Sequence, residues 1–120
     1  MEIIRVTGKE KVKQFHQVAD EIYRNDSNYT PLLRPMVEDI FNPGKNTKFK
    51  TGDARRWIVF GNGKCIGRIA AFYDSDYSRA YDQPTGGIGF FECINDKEAA
   101  FLLFDTARDW LSENGLEAMD

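Results

Sequence analysis

Apolar residues along this chain fall into two kinds of stretch: short β-branched or aromatic runs, and longer segments with helical spacing. Glu2 to Val6 is a short strand rich in β-branched residues. Thr7 and Glu10 follow with the spacing of a capping box, in which hydroxyl and carboxylate each take a backbone N–H left unpaired at a helix start. The helix they open puts Val12, Phe15, Val18, Ala19 and Ile22 on one stripe and ends near Asn25, where Asn25, Asp26, Ser27 and Asn28 gather as turn formers. Tyr29 and Thr30 are extended ahead of Pro31, because the residue before a proline is pushed away from helix. Pro35 suits the first turn of a second, short helix that ends near Phe41 and is stopped by Asn42-Pro43-Gly44.

Lys45 to Arg56 is polar and mostly basic and reads as a loop. Two strands then face each other across a hairpin. Arg56 to Phe60 leads into Gly61-Asn62-Gly63, residues that tolerate the positive φ of a primed turn, and the chain returns from Lys64 to Tyr73. A polar connection rich in Tyr and Asp spans Asp74 to Thr85. A fourth strand runs from Gly86-Gly87 through Ile88, Phe90 and Phe91 to Ile94. Asn95, Asp96 and Glu98 then mark a helix start, with a capping side chain and acidic groups at the positive end of the dipole. Ala100, Leu103, Phe104, Ala107 and Leu111 share a face of this long helix, with Gly115 placed to end it and Leu116 as the accompanying apolar contact. Leu116 to Asp120 reads as the opening of another strand.

The order β-α-α-β-β-β-α-(β) gives an α/β (α+β) domain, with a mainly antiparallel sheet flanked by helices. The 120 residues suit a single domain over 1–120, and 42% apolar content supports a core. Charges of both signs are interspersed and sum to −3. A nucleic-acid binder working by bulk electrostatics needs a clustered positive surface, which this pattern does not supply. No apolar run approaches the ~20 residues that cross a bilayer, and the first residues lack the pattern of a signal peptide. Neither nucleic acid nor membrane is therefore an expected partner, and the expected compartment is cytoplasmic. Cys65 and Cys93 are too few for a disulfide scaffold and lack metal-ligand spacing, so two free thiols and no metal are expected. If the third and fourth strands pair antiparallel, the two thiols could approach each other.

The segment Trp57 to Phe72 (WIVFGNGKCIGRIAAF) and the segment Gly89 to Ile94 (GFFECI), with its following helix, resemble the hairpin and the central strand-to-helix unit of the GNAT superfamily of acyl-CoA-dependent N-acyltransferases. The pairing of GRIAA with GFFEC is similar to that in much longer bacterial GNAT-like proteins. The resemblance runs from the first strand to the start of the fifth, so it implies an incomplete acyl-CoA N-acyltransferase-like fold, truncated before its fifth strand is complete. It also implies transfer of an acyl group from acetyl-CoA or another acyl-CoA, as co-substrate, to a small-molecule amine acceptor. On that resemblance the pantetheine arm runs along Glu92, Cys93 and Ile94, and the diphosphate approaches Asp96, Lys97, Glu98, Ala99 and Ala100 at the helix start, where free amides and the dipole favour anions. The run Asn95 to Ala100 departs from the family's glycine-containing loop and carries two carboxylates, which oppose a diphosphate. A helix start plugged by its own Asp or Glu side chains would remove the acyltransferase reading and leave only an orphan fold. The second possibility is a non-catalytic GNAT-like module that binds a ligand or forms a homo-oligomer through an open sheet edge.

Glu92 stands alone as an acid within an apolar strand, at a place where some family members keep a general base; the alternative is a hydrogen-bonded or solvated carboxylate. Tyr73 and Tyr77, with Tyr81, Asp74 and Asp76, could hold an acceptor amine or could simply cover the sheet end. Cys93 needs a base to act as a nucleophile, and His16, on the first helix, reads as a partly exposed surface residue. Lys45, Lys48, Lys50, Arg55 and Arg56 could meet phosphates or an acidic partner, although scattered loop charges are more often solvated.

Overall fold

Among the described residues, five strands form one sheet and follow one another across it in chain order. The computed structural model describes residues 1–74, 85–116 and 118–119, of which Thr85, Ala118 and Met119 are described by their backbone. Strands β1 (Glu2–Arg5), β2 (Gly52–Gly61), β3 (Lys64–Asp74) and β4 (Thr85–Cys93) pair antiparallel, and β5 (Ala118–Met119) joins β4 in parallel. Helices α1 (Gly8–Ile22) and α2 (Arg34–Ile40) cover one face, and α3 (Lys97–Glu113) covers the other. This is the α+β order expected from the sequence.

The alternation of side chains along each strand sorts the core into two layers. Trp57, Val59, Ile69 and Ala71 meet Ala99, Leu103, Ala107, Trp110 and Leu111 of α3. Ile58 and Val6 meet Phe15 of α1 and Val37 of α2, with Phe41, Phe60 and Phe90 packed around them. Local signals at the ends of elements are realised closely. Asn62 and Gly63 adopt φ of 53° and 76°, the left-handed pair that a primed hairpin turn requires. Gly115 sits at φ 83°, and the N–H groups of Leu116 and Gly115 donate to Leu111 and Ser112, closing α3 with a Schellman motif.

Two expectations fail. Thr7 precedes α1, but its hydroxyl makes no cap hydrogen bond, and the first residue of the helix, Gly8, stands at φ 80°. The expected loop from Lys45 to Arg56 holds a single 3-10 turn, Thr47–Lys50, and then becomes strand from Gly52. The partner is what extends β2. Strand β3 continues to Asp74 and pairs with Gly52, whose absent Cβ would lie 1.9 Å from the carbonyl oxygen of Tyr73.

Two irregularities set what each face carries. Between Val59 and Phe60 the register slips, leaving Ile66 as an extra residue in β3. Cys65 consequently packs on the α1 face while Cys93 packs on the α3 face, so the two thiols do not approach each other and both are free. In β4, Phe90 and Phe91 stand opposite the single residue Ile69, and Phe90 takes φ 55°. Beyond this bulge the alternation resumes with Glu92 directly opposite Arg68, on the face of α1 and α2.

Candidate functional site

The α1 face of the sheet carries two arginines planted among apolar residues. Arg68 occupies the middle of β3 and is 7% exposed. Its Nε donates to the carbonyl oxygen of Phe90 at 3.1 Å, the acceptor displaced by the bulge, and its Nη1 donates to the carbonyl of Phe15 at 3.0 Å. The guanidinium lies 4.7 Å from the ring centre of Phe15 and 5.8 Å from that of Phe90. Among the described residues no carboxylate forms an ion pair with it. Burial pulls its pKa below the ordinary value, against the nearby Glu92, whose charge raises it.

Glu92 is half-buried and accepts a hydrogen bond from the phenol of Tyr23 at the end of α1. That bond, before burial and the charge of Glu92, raises the pKa of Tyr23. Tyr23 stacks on Tyr29, with ring centres 4.6 Å apart, and the Tyr29 hydroxyl lies 3.5 Å from Asp20. Burial leads the causes that raise the pKa of Tyr29, followed by the charge of Asp20. Asp20 in turn accepts from Arg34 at 3.1 Å at the rim. These groups enclose a cavity of about 190 Å³ lined by His16, Ala19, Asp20, Tyr29, Leu32, Arg34, Val37, Arg68 and Glu92. A site of this size suits a small molecule rather than a drug-sized one, which fills about 300–1,000 Å³.

His16 is buried, not partly exposed as its place after Phe15 suggested. Its Nε2 lies 2.7 Å from Glu38 of α2, which is also clasped by both terminal nitrogens of Arg56 at 2.6 Å each. Burial lowers the pKa of His16, only partly opposed by Glu38. Burial alone would raise the pKa of Glu38, but the hydrogen bonds from Arg56 and His16 outweigh it and hold the carboxyl below its ordinary value. An ionised carboxylate only accepts, so His16 carries its proton on Nε2. The arrangement locks α1, α2 and β2 together, and it removes Arg56 from the basic group read as a loop.

The other residues singled out in the sequence are dispersed. Tyr73 lies on the opposite face, against Trp110 and with its hydroxyl 3.4 Å from Asn114; Tyr77, like Tyr81 and Asp76, lies outside the described residues. Lys48 pairs with Asp74, and Arg55 lies over the ring of Trp110. Burial raises the pKa of the Cys93 thiol, with Asp96 adding to it, and pushes that of Cys65 up to about 11, which disfavours the nucleophilic thiolate at both. Strand β5 reaches only Thr85 and Gly86, so from Ile88 to Cys93 the far edge of β4 has no partner strand among the described residues. The N–H of Ile94 is taken by Ile66.

The start of α3 is half closed by its own chain. Of the four amides that a helix leaves unpaired, that of Ala99 donates to the Asp96 side chain at 3.1 Å and that of Asp96 to Ile94 at 2.7 Å. The amides of Lys97 and Glu98 are left, beside the carboxylates of Asp96 and Glu98. Among the described residues no cluster of His, Cys, Asp and Glu could hold a metal ion, and no helix is long and apolar enough to cross a membrane.

Arg68 was missed in the sequence, although it breaks the apolar run of β3 as plainly as Glu92 breaks that of β4. Antiparallel pairing of those runs could have put the two on one face. Tyr23, Asp20 and Arg34 carry no comparable signal, since polar residues near a helix end are ordinary.

No family model matches the chain. It is 28% identical over 111 residues to Protein YghO of Escherichia coli strain K12, a match that covers 90% of this chain and 27% of that protein. Among solved structures it superposes on a tandem GNAT protein from the clavulanic acid biosynthesis pathway with a TM-score of 0.71 at 13% identity, covering 96% of this chain and 34% of that one. An aminoglycoside 6'-N-acetyltransferase from Acinetobacter haemolyticus gives a TM-score of 0.68 at 12% identity, covering 100% and 79%. The chain has a GNAT-like, acyltransferase-like fold, and it spans about a quarter of the curated relative that it matches.

Proposed function

We propose that this GNAT-fold chain holds an amine in the cavity between α1 and β4 as the acceptor side of an acyl transfer, with Glu92 as its base. One observation carries the reading: a half-buried carboxylate in a small polar cavity, in an ion pair with no cation among the described residues, beside the edge of β4 that no described strand covers. An ammonium group is recognised by carboxylates and by aromatic rings, and the cavity lining includes Glu92, Asp20 and Tyr29. Glu92 takes a proton from the bound ammonium and so exposes the nitrogen lone pair, the form that attacks a carbonyl. Tyr23 fixes the carboxylate in place for that transfer.

Of the two surfaces that an acyl-CoA needs, one fits. From Ile88 to Cys93 the edge of β4 that no described strand pairs offers backbone groups to an extended pantetheine arm, as an added strand would use them. The start of α3 does not suit the diphosphate, because Asp96 and Glu98 oppose it and Asp96 already takes the amide of Ala99. No part in the chemistry is therefore given to Asp96, Lys97, Glu98, Ala99 or Ala100. This mismatch favours a second reading, in which the cavity binds its amine and no acyl transfer follows.

Calorimetry with primary amines, beside a thiol-release assay with acetyl-CoA, separates the readings. The wild-type protein should bind amines, Glu92→Gln should weaken that binding about 30-fold, and amine-dependent thiol release should fall about 100-fold in the same variant. Amine binding that is indifferent to Glu92→Gln would sink the proposal. Binding without thiol release would leave the amine-binding module alone.

A further inference from the structure

Arg68 and Glu92 stand directly opposite each other on β3 and β4, on the same face. Cross-strand neighbours in this position have Cβ atoms about 4.5–5.5 Å apart, so opposite charges there ordinarily close into an ion pair. These two do not. Glu92 turns to the phenol of Tyr23, while Arg68 turns to the carbonyls of Phe15 and Phe90. Both line the same cavity. Buried charges in proteins are as a rule paired, and a buried guanidinium without a carboxylate partner is costly.

The other buried arginine of this face shows that the fold can satisfy such a charge: Arg56 has both terminal nitrogens on Glu38. A guanidinium carries five N–H donors; Arg68 uses two of them on the carbonyls, and its side chain lines the cavity. Arg34 brings a second cation to the rim. It is held there by Asp20 in a half-exposed pair of the kind worth little, which a ligand can displace.

We propose that the amine taken up here carries a carboxylate next to its nitrogen, so that an amino acid bridges the gap, with its ammonium on Glu92 and its carboxylate on Arg68. This rests on the amine-binding reading above and deepens it. A single carboxylate matches Arg68, the cavity-lining cation that has no ion-pair partner among the described residues, and a cavity of about 190 Å³ matches a small zwitterion. In acyl transfer to an acceptor of this class a new N–C bond forms as the C–S bond of the acyl thioester breaks; of the two protons the ammonium gives up, one goes to Glu92 and one leaves on the thiol, and the product is an N-acyl amino acid.

The test is calorimetry of the whole protein, free of any acyl donor, with glycine, L-alanine, L-leucine and L-phenylalanine. Each is measured beside its decarboxylated counterpart: methylamine, ethylamine, isopentylamine or phenethylamine. At least one amino acid should bind about 30-fold more tightly than its amine, the yield of one charge-assisted contact. Arg68→Gln should bring that amino acid down to the level of its amine, and Arg68→Lys should keep part of the preference. The inference is overturned if each of the four amines binds as well as its parent amino acid, as it is if none of the four amino acids binds. The wild-type comparison decides the matter even if Arg68→Gln does not fold. Amines bound and acylated without any carboxylate preference would sink this inference and leave the proposed function standing. Carboxylate-dependent binding with no thiol release would do the reverse.

Discussion

Arg56 and Arg68 lie on the same face of the same sheet, are buried to almost the same degree, and lean on the same ring, that of Phe15. What surrounds them differs. Arg56 is clasped at two points by Glu38, which His16 holds from the other side, so three elements close on one charge. Arg68 has its carboxylate across the strand and does not reach it. The first arrangement is complete and holds helices to the sheet. The second stays open around a cavity, and an open pair of opposite charges is what a ligand can close. Burial of an arginine therefore says little about its role; the state of its counter-charge says more.

The largest effect should come from the two carboxylates. Glu38→Ala strands Arg56 as a buried charge and should cost about 3 kcal/mol of stability, at the lower end for a broken buried pair because Glu38 itself is partly exposed. Glu92→Ala removes a carboxylate that supports Arg68 only through its field and accepts one hydrogen bond from Tyr23, and should cost less, about 1 kcal/mol. Urea unfolding of the two variants measures both. Equal costs would mean that Arg68 leans on Glu92 as Arg56 does on Glu38, and the contrast would be lost.

An acid titration sharpens the same contrast without mutation. The folded pKa of His16 lies below its ordinary 6.5, so the unfolded chain binds this proton more readily, and the stability contributed by neutral His16 is lost as pH falls from 6.5 through the folded value. Glu38 behaves in the same direction lower down: its folded pKa lies below 4.5, and its contribution goes as pH falls from 4.5 through that value. Stability should therefore decline in two stages, and His16→Gln should abolish the first while leaving the second. A single stage below 4.5 in the wild-type protein would show that His16 is not held neutral.

How much of this was legible in the sequence follows from how local each determinant is. The hairpin at Asn62 and Gly63 and the end of α3 at Gly115 were readable because a few adjacent residues specify them. The order of elements and the fold followed from apolar spacing and from the resemblance of the hairpin Trp57 to Phe72, and of Gly89 to Ile94 with its following helix, to GNAT proteins. Glu92 was visible because a carboxylate is out of place in an apolar strand. The clasp on Arg56 was not, since Glu38 lies 18 residues away across a turn and a short helix, and Arg56 in isolation looked like one more loop cation. His16 was misread for a similar reason: its burial depends on where α2 settles. The start of β2 at Gly52 depends on how far β3 runs, which no pattern within the segment reveals.

The smallest change bears on why the second pair stays open at all. Tyr23 is the group that draws the Glu92 carboxylate away from Arg68, and its ring is held in place by the stack on Tyr29. Tyr23→Phe keeps the ring and removes the donor. Glu92 is then free to turn across the strand to Arg68, which would make the open arrangement resemble the closed one around Arg56. Stability should hold or rise slightly, because a buried cation gains a partner. Amine binding should weaken by roughly threefold to tenfold, since a ligand must now break an ion pair to reach either charge. A loss of stability with unchanged affinity would mean that the phenol only supports packing, and that something other than Tyr23 keeps the two charges apart.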